Sequence, residues 1–202
     1  GSMEETLSDR SLKRCEQATM TNTGLRQLIR SADNALSYVE LEIAERHLNK
    51  ASKGLVCLAE PLNQNIAQRL FYLQGILALY REQSAEAEEA FTLAIRFQPD
   101  LKWDDNFDPK GKELFESARR AFSKTIALPL EIIPRSAQRN IRINGVALTE
   151  NDSQTIFAGR SVVQVMGLSV QTIEMKIEPR TAEARLLVPS TVPPEASSWV
   201  SE

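Results

Sequence analysis

The sequence predicts an α+β protein: an all-helical first half followed by a small antiparallel, β-sandwich-like unit. Three observations predict it. From Leu25 to Phe122 the apolar residues recur with helical period. Near Ala127 the composition shifts to short β-branched runs. Between Asp152 and Glu178 those runs alternate in character and are punctuated by glycine, as half-buried strands are.

Residues 1–22 are polar and weakly patterned and read as a flexible leader, in which Gly1-Ser2-Met3 resembles a cloning remnant. Residues 23–125 form the helical domain. Leu25, Leu28, Ile29 and Ala32 mark a first face, and Leu41, Ala44, Leu48 and Ala51 a second. Pro61 and Asn63-Gln64-Asn65 break the pattern. Leu70, Leu73, Leu77 and Tyr80 resume it, Ala87, Ala90, Phe91 and Ala94 continue it, and Pro99 stops it. Asp108-Pro109 suits a helix start, with aspartate as N-cap and proline in the first turn. Leu114, Phe115, Ala118 and Phe122 give that last helix its apolar face.

Residues 127–188 supply the strands. "TIEMKIE" places Ile173, Met175 and Ile177 on one face and Glu174 and Lys176 on the other. Asn144-Gly145 is a strong hairpin signal, because both residues tolerate positive φ. Gly159 and Gly167 bracket a further strand, and residues 189–202 read as a disordered tail.

The helix pair "GILALYREQSAEAEEAFTLAIRFQPD" resembles a tetratricopeptide repeat. Phe71 falls on that family's first aromatic position, Gly75 on its small helix-A residue, Ala87, Phe91 and Ala94 on the helix-B signature, and Pro99 on the terminal proline. Gln74 and Ala78 depart from the family's leucine and tyrosine. Ala32, Ala44, Leu48 and Ala51 make a second copy upstream. Ala44 and Ala87 stand 43 apart rather than the family's usual 34, which points to a lengthened second helix running toward Pro61. Helix 110–124 would cap the array. The strands "IRINGVAL" and "AGRSVVQV" resemble a PEGA-type domain, a β unit of bacterial envelope proteins, with "PRSAQRN" standing where the family carries its Pro-Glu-Gly-Ala string.

Chemistry-bearing motifs are sparse. His47 is the only histidine and lacks neighbouring ligands, whereas zinc needs three or four. Asp104, Asn106 and Asp108 alternate as in a calcium loop, but Pro109 replaces its glycine and Phe115 its bidentate carboxylate. No phosphate loop, nucleophile elbow or base–nucleophile pair emerges. Glu86, Glu88 and Glu89 read as a solvated helix face. The expectation is a protein without catalytic residues, cofactor or metal. The net charge of −3 in 202 residues argues against general nucleic-acid binding. No apolar run has membrane-spanning length. Cys57 in "GLVCLAE" reads as a small buried apolar residue, which leaves the redox compartment open.

The tetratricopeptide resemblance implies a protein partner held on the helix-A faces. It assigns the contacts to Arg69, Tyr72, Leu79 and Tyr80, with Ile76 beside them, and upstream to Arg26 and Asp33, with Ile29 and Leu36. Residue type alone does not separate a groove-lining Tyr72 and Ile76 from the same pair buried between helices. The paired lysine and asparagine that clamp a peptide carboxylate are missing, so chaperone-tail binding is not implied. The PEGA resemblance implies an adaptor or scaffold of the bacterial periplasm or cell envelope. The alternative is a cytosolic assembly factor or secretion chaperone using the same groove.

Overall fold

Thr21 sets the start of the helical half. Its Oγ1 accepts the Gly24 N–H at 3.1 Å and caps α1 (Asn22–Ser37). Asn63 does the same for α3 (Gln64–Tyr80), accepting from Asn65 N and Ile66 N at 3.0 and 3.2 Å. The Asn63-Gln64-Asn65 break is therefore the cap and first turn of a helix. Asn22 binds the two starts together, with Oδ1 accepting from Asn63 N at 3.0 Å and Nδ2 donating to Pro61 O at 2.9 Å. In the computed structural model, which describes residues 2–6, 15, 19–149, 154–167, 170–178 and 183–188, helices α2 (Leu41–Leu55), α4 (Ser84–Phe97) and α5 (Gly111–Ser123) complete this half.

The two helix pairs end their first helices identically. Val39 N donates to Leu36 O at 3.0 Å and Glu40 N to Ala35 O at 2.8 Å. In the second pair, Glu82 N donates to Leu79 O at 3.0 Å and Gln83 N to Ala78 O at 2.9 Å. Val39 and Glu82 both take left-handed conformations, with φ of 58° and 59°. Such a residue closes a helix by satisfying its last carbonyls.

The 43-residue spacing has a different origin from the one expected. Helix α2 ends at Leu55, no longer than its counterpart requires, and the extra length is an irregular connector leading to Asn63. That connector runs back beside the start of α1. Met20 N donates to Cys57 O and Ala59 N to Met20 O, both at 3.0 Å, and Cys57 forms a disulfide with Cys15. Cys57 is thus half-buried and bridged rather than a buried free thiol. Its partner lies 42 residues away, a proximity that the turn between α1 and α2 creates and that linear spacing conceals.

In the second pair, Phe91 packs over Gly75 so closely that any Cβ there would meet its ring. Phe71, Tyr72, Phe91 and Phe115 are fully buried, and Trp103 and Phe107 from the loop after α4 close over them. The Phe91 and Phe115 rings meet edge-on at 5.5 Å between centroids, an arrangement favoured by the ring quadrupoles. Asp108 does not cap α5 directly. Its Oδ1 accepts from Lys110 N at 2.9 Å, its carbonyl from Gly111 N at 3.0 Å, and the helix begins at Gly111.

The strands form two sheets of order β1-β8-β2-β5 and β4-β3-β6-β7. The first contains β1 (Ser2–Thr6), β2 (Ala127–Ile133), β5 (Thr155–Phe157) and β8 (Glu183–Leu187). The second contains β3 (Ile141–Ile143), β4 (Val146–Ala147), β6 (Gly159–Val165) and β7 (Gln171–Ile177). The first sheet is mixed rather than antiparallel, because β8 runs parallel to both β1 and β2. Residues 2–6, which composition assigns to a flexible leader, occupy its edge and pair Met3 with Ala184. The "PRSAQRN" segment forms a 3-10 helix, Arg135–Asn140. Asn144 and Gly145, at φ 49° and 80°, make the expected tight turn between β3 and β4. The proposed tail, residues 189–202, lies outside the described residues.

Alternation sorts the side chains into layers. Leu128, Leu130 and Ile132 of one sheet pack with Val163, Val165, Met175 and Ile177 of the other. On the opposite face of β6, Val162 joins the helical core. The second sheet is therefore the middle of three layers, covered by the first sheet on one side and the helices on the other. Gln164 fixes the helical contact: its Oε1 accepts from Leu62 N at 2.8 Å, and its Nε2 donates to Thr172 Oγ1 at 2.9 Å.

Candidate functional site

Helices α1 and α3 run side by side and turn Asp33 and Arg69 toward each other. Arg69 Nη2 lies 2.9 and 2.8 Å from the two Asp33 carboxylate oxygens, and Nε lies 3.2 Å from Oδ2. The remaining nitrogen, Nη1, donates to Asp104 Oδ2 at 2.9 Å, in the loop after α4. One guanidinium thus ties three segments together, using the forked geometry that suits arginine to carboxylates. It also lies 5.4 Å from the centroid of Tyr72 and 5.7 Å from that of Phe107, within cation–π range.

This network sets the local electrostatics. Burial acts to lower the Arg69 pKa, but the bonds and charges of Asp33 and Asp104 outweigh it and raise it. Burial acts to raise the Asp104 pKa, and the hydrogen bonds that its carboxylate accepts from Arg69 and from the Asn106 N–H hold it below the ordinary value instead. The Tyr72 phenol is pushed up by burial. Its oxygen accepts the Asp104 N–H at 3.0 Å, so it holds the loop down rather than presenting itself to a partner.

Above the network lies a polar cleft of about 490 Å³, lined by Arg30, Asp33, Asn34, Ser37, Arg69 and Asn106. Of the residues that the tetratricopeptide resemblance assigns to partner binding, Asp33 and Arg69 meet here. Tyr72 is the correction: it is completely buried, as are Ile76 and Leu36, and Ile29 nearly so. For Tyr72 the physical reason is that Trp103, Phe107 and Phe115 of α5 pack against its ring and fill the space that a ligand would take. Leu79 is half-buried where it meets Gly111 of α5, and Tyr80 is half-buried against the helical core. Arg26 is exposed at the start of α1 and does not line the cleft. Sequence reasoning missed Arg30, Asn34 and Asn106. Arg30 and Asn34 are one helical turn apart on α1, a signal that its polar face carries. Asn106 comes from a loop whose path no periodicity reveals.

A second cavity, of about 550 Å³, opens between the helices and the strands, with Glu89, Leu93, Arg96, Ile126 and Arg160 among its lining. Arg96 reaches across it into the β5–β6 corner. It donates to Arg160 O at 2.5 Å, to Ser161 Oγ at 3.2 Å and to Ala158 O. Its guanidinium lies beside the packed Phe122 and Phe157 rings, 6.0 and 5.8 Å from their centroids. Burial pulls its pKa down to about 10, partly opposed by Glu89. These are the contacts of a structural tie.

His47 is half-buried on α2. Among the described residues there is no group of three or more histidine, cysteine, aspartate or glutamate side chains placed to hold a metal ion. Among the same residues no helix is long and apolar enough to cross a membrane. Comparisons with protein-family models, with curated proteins and with solved structures find no match to this chain.

Proposed function

We propose that this chain is a non-catalytic interaction protein of the bacterial cell envelope, in which a short tetratricopeptide-like array holds a protein partner and a PEGA-like β unit braces it. The observation that carries the reading is the cleft between α1 and α3. Its floor is the Arg69–Asp33 ion pair, while its rim offers the donors and acceptors of Arg30, Asn34 and Asn106. A partner seated there meets polar groups around one fixed guanidinium. Arg69 then serves to position the cleft, because each of its two carboxylate partners comes from a different segment.

The compartment reading is supported by the Cys15–Cys57 disulfide. Such bonds persist in oxidising compartments and are uncommon in the bacterial cytosol. This favours the envelope over a cytosolic assembly factor.

A photo-reactive residue introduced in living cells at Arg30 or Asn34, and as a control at Lys50 on the exposed side of α2, tests the cleft directly. The expected result is one discrete adduct from both cleft positions and none from Lys50. Equal labelling from all three positions would rule the cleft out. Acid-quenched thiol alkylation of the same cells should find both cysteines protected; free thiols would return the protein to the cytosol.

A further inference from the structure

Strand β7 ends its sheet, and among the described residues no backbone hydrogen bond reaches its outer side. Its neighbour reveals which of its groups point outward. Val162 N donates to Asn144 Oδ1, and Val162 O accepts from Asn144 N, both at 2.8 Å. Both main-chain groups of Val162 therefore face away from β7. In an antiparallel ladder the residue opposite such a position also turns its groups away. Glu174 is that residue. Glu174, and with it Lys176 at the two-residue period, turn N–H and C=O groups outward along the exposed part of the edge, whereas Thr172 is buried.

The side chains of this edge carry a pattern of their own. Glu174 pairs with Arg160 at 3.0 Å and Lys176 with Glu89 at 3.1 Å, on the helix-facing side of the sheet. Natural edge strands use charge to repel further strands. Opposite charges two residues apart do not repel a copy of the same strand running the other way.

We infer that β7 pairs with β7 of a second copy of this chain, antiparallel, about a two-fold axis through Met175. In that register Glu174 faces the second copy's Lys176, and Lys176 faces its Glu174. The outward backbone groups of the two strands coincide. A row of alternating sign then crosses the interface from Glu89 through Lys176 to the other copy's Glu174 and Arg160. The next allowed registers are unfavourable. Centring on Glu174 sets that carboxylate against itself, and centring on Lys176 opposes two ammonium groups and sets Glu174 against Glu178. Opposite charges directly across a strand pair stabilise it and like charges destabilise it, so one register is selected.

Analytical ultracentrifugation of the whole chain, from micromolar to millimolar concentration, provides the test. The wild type is expected to form a concentration-dependent dimer. Lys176→Glu and Glu174→Lys should each weaken self-association by about a hundredfold, since like charges now meet across the axis. Mixing these two variants should restore dimers, because each Glu of one then faces a Lys of the other. Glu174→Pro removes one outward donor and leaves the β6–β7 ladder intact, so dimerisation should be lost while the melting temperature of the monomer stays close to that of wild type. A wild-type chain that remains monomeric throughout overturns the inference and leaves the edge to solvent or to a strand of another protein. So does a dimer that survives in all three variants.

Discussion

The two helix pairs share a turn and differ in what closes them. Positions 43 apart carry the same backbone bonds, yet Leu28, Ile29 and Leu48 in the first pair become Phe71, Tyr72 and Phe91 in the second. The second pair gathers rings from its own helices, from the loop after α4 and from α5 into one aromatic cluster. The first relies on smaller aliphatic residues and on a covalent bond that holds the connector after α2 against the segment before α1. Equal backbones thus reach closure by different physics: dispersion and ring geometry in one, a covalent cross-link in the other. Arg26 and Arg69 make the same point on the surface. They occupy equivalent positions, yet one stands in solvent while the other binds two carboxylates.

Truncation at equivalent core positions should separate the pairs most clearly. Phe91→Ala is expected to cost roughly 3 to 5 kcal/mol, because the cavity is walled by rings that cannot collapse into it. Leu48→Ala should cost about 2 to 3 kcal/mol in the smaller first core. Urea unfolding of both variants checks this, and equal losses would mean that the aromatic cluster adds nothing beyond ordinary burial.

Much of this comparison is legible in the sequence, because period and residue size are local properties. The 43-residue offset, the packing of Phe91 on Gly75 and the Asn144-Gly145 turn all follow from residues near one another in the chain. The strand faces of "TIEMKIE" follow in the same way. What was not legible depends on distant segments meeting. The pairing of Cys15 with Cys57, the parallel strand at residues 2–6 and the closure of Tyr72 by Trp103 and Phe107 each need a chain reversal whose direction no motif encodes. The candidate site divides along the same line. Asp33 and Arg69 are named through the tetratricopeptide resemblance, whereas Asp104 reaches Arg69, and Asn106 the cleft, through an irregular loop.

The disulfide gives the next largest effect. Cys15→Ser with Cys57→Ser should destabilise the chain by about 2 to 4 kcal/mol, through the greater freedom of the unfolded state. If the division between the pairs holds, hydrogen exchange in the double variant should quicken first in α1 and α2, with α3 and α4 protected longer. Uniform acceleration would show that the two pairs open together.

The smallest expected effect lies in the turns. A β-branched residue at positive φ is a steric outlier, and left-handed backbone costs an ordinary residue about 1 to 2 kcal/mol. Val39→Gly should therefore stabilise the chain by about 1 kcal/mol, and Glu82→Gly by about half of that, once the extra chain entropy of glycine is set against the relief. Thermal denaturation of the two variants resolves the difference. A loss of stability at Val39, which is 61% exposed, would show that its side chain makes contacts worth more than the strain.

The tie formed by Arg96 bears on how such a protein can change over time. Two of its acceptors are main-chain oxygens, at Ala158 and Arg160, and every amino acid supplies a carbonyl. Substitutions at those two positions leave these bonds available. The restricted positions are Arg96 itself and Gly159, where φ is 94° and an added Cβ would crowd the guanidinium. The junction between helices and strands is accordingly specified by few side chains. The neighbouring corner is left open to drift in sequence, so that the strand unit can acquire new surfaces while keeping its seat on the helices.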